Sequence, residues 1–229
     1  MKIVFVGPSL PDASALVSTD VEFRPPAAQG DVMRALADGA TSIGLIDGNF
    51  GSVAPVWHKE LLFALSKNIT VFGAASMGAL RAAECSAFGM IGIGRIFEDY
   101  ASGLRVDDAD VALLFGPAEL GYPPLTIPLV NAQATIDTLF SRHMLEEAMC
   151  QRLRDAARAL FFKRRSWKRI AELAGIELAT LQPMIDICWT DQKRQDAIAL
   201  LEAMTGSRKS SPSDPWQFNA TPLFRKMYL

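Results

Sequence analysis

The chain is short of the residues that most often carry chemistry: among 229 there are three cysteines and two histidines. Cys85, Cys150 and Cys188 lie far apart with no CxxC pair, so neither a disulfide framework nor a cysteine-based zinc site is expected, and reduced thiols are. No cluster has metal-ligand spacing, so no metal and no cofactor is expected either. Long apolar runs are also missing. Nothing approaches the roughly 18 residues of a membrane span, and the opening run, "IVFV", ends at a Gly-Pro turn, too short for a signal peptide. A cytoplasmic protein with no membrane contact is expected. A large excess of one charge is absent too, the net being -2, but the charge is uneven. Residues 1–130 carry 8 Lys/Arg against 14 Asp/Glu, residues 131–206 carry 11 against 10, and residues 207–229 carry 4 against 1. An acidic first part argues against a nucleic-acid footprint there.

What is present is enough hydrophobic sequence, half of the chain, to bury a sizeable core. "KIVFVG", "SIGLIDG" and "ITVFGA" read as short buried strands, each closed by a turn signal. "GDVMRALADG", "APVWHKELLFALSKN" and "MGALRAAECSAFG" between and after them have helical periods, the last ending at Gly89. "ADVALLFG" (109–116) reads as a last strand. The alternation predicts an α/β fold, a mainly parallel sheet with helices on both faces, followed by an all-helical C-terminal extension. The expected division is a core over 1–130, helices over 131–206, including one long amphipathic run to about Lys163, and an irregular tail over 207–229.

The strand-to-helix junction "VFGAASMGALRAAEC" carries one hydroxyl, Ser76. In such a sheet ligands bind beyond the carboxyl ends of the strands, so Ser76 stands on the functional rim beside the backbone N–H groups of Met77 and Gly78. Three readings are open: a helix cap, part of a small-residue phosphate loop, or a nucleophile on a sharp turn. The phosphate loop is the weakest, since the segment has neither the Lys-Ser/Thr ending of a P-loop nor GxGxxG spacing. A nucleophilic hydroxyl needs a base. His143 reads as a surface residue of the helical part. "WHKE" supplies His58 and Lys59 at the start of the preceding helix, where Lys59 is either a depressed-pKa base or a solvated surface lysine.

"IDGNFG..APVWHKELLFAL", "VFGAASMGALRAAE", "GMIGIGRIFEDYASG" and "IPLVNAQATI" together resemble the TfuA-like family, proteins encoded beside YcaO enzymes and tied to peptide-backbone thioamidation and to peptide natural products such as trifolitoxin. The likeness runs from about Lys2 to Ile136. It implies a hydrolase-like Ser-Lys site that releases sulfide from a thiocarboxylated ThiS-like sulfur carrier protein and supports a YcaO enzyme. Carried across, the nucleophile falls on Ser76 and the base on Lys59, with His58, Arg81 and Glu84 in the same motifs. The N–H groups of Met77 and Gly78 then stabilise the oxyanion. Arg81 either holds a carboxylate or pairs with Glu84 three residues on. The departure is Ala75, where many relatives read a first serine.

Two alternatives belong to other classes. One is a non-catalytic YcaO-binding adaptor. The other is a DNA-binding regulator, because "SWKRIAELAGIELATLQPMI" has a helix-turn-helix rhythm behind the acid-free run "ARALFFKRRSWKR"; such runs are more often solvated or docking faces, so nucleic acid is not an expected partner.

Overall fold

A computed structural model of the chain describes residues 1–17, 20–49, 53–206, 212 and 214–229. Residues 50–52 of the "IDGNFG" segment and much of 207–213 in the expected tail lie outside the described residues. The chain forms two compact units, Met1–Val106 with Arg194–Leu229, and Asp107–Lys193.

The first unit is a five-stranded parallel sheet built from β1 (Lys2–Phe5), β2 (Val21–Arg24), β3 (Ser42–Leu45), β4 (Thr70–Ala74) and β5 (Ile91–Ile93), in the order β2-β1-β3-β4-β5. The order reverses at β1, and right-handed crossovers then put the first connecting helix on one face and the later ones on the other. Helices α2 (Asp31–Ala37), α3 (His58–Ser66) and α4 (Met77–Cys85) accordingly bury Val32, Leu61, Ala64 and Ala82 with Ile3, Phe5, Ile43, Leu45 and Val71. On the opposite face α1 (Ala13–Leu16) is one turn long and cannot cover Val4, Ile46 and Phe72 alone. Helix α10 (Gln192–Thr205) covers them with Ala197, Leu200, Leu201 and Met204. That helix was expected in the helical extension. From Arg194 on it belongs to the sheet's unit, because a parallel sheet needs apolar cover on both faces.

Three further expectations differ from the structure. Residues 109–116 are not a strand: Asp108–Asp110 is a 3-10 turn, Phe115 makes only an isolated bridge to Pro124, and the fifth strand is the three-residue Ile91–Ile93, followed by α5 (Arg95–Ala101). The run to Lys163 is two helices, α6 (Leu129–Ser141) and α7 (Glu147–Ala159), broken at exposed His143, whose φ is 56°. The tail is not wholly irregular, since α11 (Pro222–Tyr228) starts on a favourable first-turn proline.

The second unit packs α6 and α7 with α8 (Trp167–Ala174) and α9 (Leu178–Cys188) around Ile136, Leu139, Leu153, Ile170, Leu181 and Ile185. Its buried Arg165 is consumed in structure: Nε and Nη2 donate to the Ala157 and Leu160 carbonyls at 3.0 and 2.9 Å, and Nη1 to that of Ile127 at 3.4 Å. Helix α9, where a helix-turn-helix would read bases, contains no Lys or Arg, and the regulator alternative has no support there. Among the described residues no helix is long and apolar enough to cross a membrane.

Candidate active site

The carboxyl ends of β3 and β4 are joined to the start of α4 by close approach. A Cβ on Gly78 would collide with the Leu45 carbonyl, and one on Gly48 with the Met77 side chain, so only glycine lets the helix seat this deeply. The Gly78 N–H donates to Ile46 O at 3.2 Å. It is therefore not free for an oxyanion as expected. The Met77 N–H makes no such bond among the described residues.

Between strand and helix the chain turns on Ala75, a non-glycine residue at φ 65°, with the Ser76 N–H donating back to Ala74 O at 2.7 Å. This is a γ-turn, a rare and strained conformation of about 1–3 kcal/mol that persists where the surrounding structure enforces it. Ser76 sits on it at φ -126°, ψ -127°, is 4% exposed, and makes no capping hydrogen bond to α4. The helix-cap reading does not describe this hydroxyl.

The remaining motif residues divide into two groups. His58 Nε2 lies 2.7 Å and Arg81 Nη1 2.6 Å from the same Glu84 oxygen, Oε2, with 3.3 Å between the two donors, and Arg81 Nε donates to Val56 O at 3.2 Å. The Arg81–Glu84 ion pair is thus formed, and Arg81 is buried by it. Burial works to raise the Glu84 carboxyl, but the hydrogen bonds from His58 and Arg81 outweigh it and hold the group below its ordinary range. Lys59, the next residue, is turned elsewhere: Nζ donates to Asn219 O at 2.8 Å and sits 5.5 Å above the Phe218 ring. The structure does not bond it to Ser76.

Sequence reasoning missed two buried carboxylates. Asp47, 2% exposed and just past β3, accepts the Gly7 and Ser9 N–H groups at 2.9 Å each and the Ser9 hydroxyl at 2.6 Å, closing the crevice where the strand order reverses. Its signal was the Asp-Gly after an apolar run. Glu60 accepts the Gly30 N–H at 2.9 Å and, more weakly, the Trp57 N–H at 3.4 Å; burial raises its carboxyl, with these bonds opposing.

Cys85 borders the cluster. Burial, reinforced by the Glu84 charge, pushes its thiol up to about 12, so it stays protonated at neutral pH. All three cysteines are buried and free.

The family model for TfuA-like proteins matches residues 47–166, from Asp47 at the crevice through both motif helices and beyond. The chain belongs to the TfuA-like family. No curated protein matches it. TfuA-like membership gives the protein a YcaO-associated, thioamidation-related role, and Asp47, His58, Lys59, Glu60, Ser76, Arg81 and Glu84 all fall inside the matched stretch.

Proposed function

We propose that this TfuA-like protein hydrolyses the thiocarboxylated carboxyl terminus of a ThiS-like sulfur carrier, releasing sulfide for a YcaO enzyme. The observation that carries the reading is the strained turn at Ala75, which presents a serine that does no capping work at the carboxyl edge of a parallel sheet. Ser76 Oγ attacks the thiocarboxylate carbon while a base takes its proton, and the Met77 N–H meets the developing oxyanion. Hydrosulfide leaves; water then cleaves the acyl-serine, returning the carrier as a carboxylate. The base is Lys59, whose amine must first leave the Asn219 carbonyl and lose its proton.

The test is sulfide release from a thiocarboxylated carrier by wild-type, Ser76→Ala and Lys59→Met proteins. Loss in both folded variants, with a double variant little worse than either, is expected of residues acting as a unit. Near-wild-type release by folded Ser76→Ala protein overturns the hydrolase. The bond that keeps Lys59 away from Ser76 favours a second reading, a non-catalytic adaptor that binds the YcaO enzyme, and that result would select it.

A further inference from the structure

The carboxyl-terminal residues from Asp214 cross the outer surface of α3. Their attachment is uneven. At the far end Phe224 is fully buried against Phe63 and Trp57, at ring distances of 5.4 and 6.0 Å, and the Tyr228 hydroxyl reaches Glu60 Oε1 at 3.4 Å. Nearer the start, Trp216 leans edge-on against Phe88 at 5.3 Å and Phe218 against Phe63 at 5.4 Å. Among the described residues, no backbone–backbone hydrogen bond ties 214–220 to the rest of the unit. Its polar tether is the Asn219 carbonyl, spent on Lys59. Beside it lies an open hollow of 890 Å³ lined by Phe63, Lys67, Phe88, Trp216 and Phe218 among others. A segment held by aromatic contacts and one side-chain hydrogen bond, with no backbone ladder and a hollow beside it, opens at lower cost than its buried anchor.

We propose that residues Trp216–Asn219 form a releasable strap, anchored at Phe224, that withholds Lys59 from the Ser76 site. The strapped amine is spent on a carbonyl acceptor and an aromatic face and is directed away from Ser76. Lifting the strap removes both partners at once and leaves an amine on the first turn of α3 free to reorient. The position of the strap thus decides whether the site holds a base. This rests on the reading of Lys59 as that base only for its effect on catalysis; the withholding of the amine stands on the contacts alone.

The test uses the full chain with Phe218→Ala and, separately, the milder Phe218→Leu. Reductive methylation of each lysine is followed by peptide mass spectrometry, with Lys168, exposed on α8 of the helical unit, as internal reference. Loss of two aromatic pairs, to Phe63 and Phe224, and one cation–π contact is expected to raise Lys59 labelling relative to Lys168 roughly five-fold in Phe218→Ala. Phe218→Leu is expected to give a smaller rise. Unchanged relative labelling in both variants overturns the strap, as does a rise shared equally by all lysines, which reports general loosening. Sulfide release is measured in parallel: selective labelling with faster release supports both readings, and selective labelling with unchanged release keeps the strap and removes Lys59 as the base.

Discussion

Each unit holds two non-glycine residues at positive φ and one buried arginine among its described residues, and Ala75 and His143, like the two arginines, are used differently. His143, at φ 56°, ends α6 in the left-handed position common after helices, with its N–H on Phe140 O at 2.9 Å; it reverses the chain and presents nothing. Ala75, at φ 65°, has no helix to end and serves to set Ser76 at the edge of the sheet. Arg165 spends its guanidinium on three backbone carbonyls, while Arg81 gives one nitrogen to a carbonyl and another to a carboxylate shared with a histidine. Positive φ is a helix-end device at His143 and, in the α/β unit, at Asn68 after α3, whereas Ala75 and Arg81 lie among the motif side chains. The candidate site therefore falls in the α/β unit.

The comparison breaks most visibly at Ser76. Ser76→Ala should lower sulfide release by about 10³-fold or more, roughly 4 kcal/mol of barrier, without lowering the melting temperature, because the hydroxyl makes no cap. A drop in thermal stability with release intact would put Ser76 on the structural side with His143. Arg165→Met is the converse. It orphans three carbonyls and should cost roughly 2–4 kcal/mol in chemical denaturation while release per folded molecule is unchanged.

Glycine substitutions sharpen the contrast at smaller scale. His143→Gly and Ala75→Gly should each stabilise by about 0.5–1 kcal/mol through relief of positive φ. Only Ala75→Gly should slow sulfide release, since a freer turn no longer fixes Ser76. Equal release by both would remove the functional meaning of the strain.

The smallest effects are two pH slopes of opposite sign within the α/β unit. Glu84 is depressed in the folded state, so its contribution is present above the ordinary carboxylate value of about 4.3 and is lost as pH falls through the lower folded value. Glu60 is raised, so its contribution is present below the ordinary value and is lost as pH rises through the higher folded one. Denaturation at pH 4 and pH 7 should therefore show the gap between wild-type and Glu84→Gln widening with pH. The advantage of wild-type over Glu60→Gln should shrink over the same interval.

Much of the α/β unit was legible because buried parallel strands are short aliphatic runs with turn signals behind them, as in "KIVFVG" and "SIGLIDG". Strands β2 and β5 were not, because "VEFR" is half charged and "IGI" is too short to show a period. The false strand at 109–116 had the right composition and lacked a ladder partner, a non-local matter. In the candidate site, the spacing within α4 sufficed for Arg81 and Glu84 to meet three residues apart, and His58 joined them through the motif next door. Lys59 was legible as a candidate; its neighbour was not, since Asn219 lies 160 residues further on.

The sequence by itself determined the layer class, the family motifs and the junction that carries Ser76, because each is written in local periodicity and in residue types a few positions apart. Tertiary structure alone decided the rest. It gave the second face of the sheet to α10, committed the Gly78 N–H to Ile46, and turned Lys59 toward the carboxyl-terminal segment rather than Ser76. These choices depend on which distant groups compete for one apolar face, one donor or one ammonium, and that competition is settled only when the chain has packed.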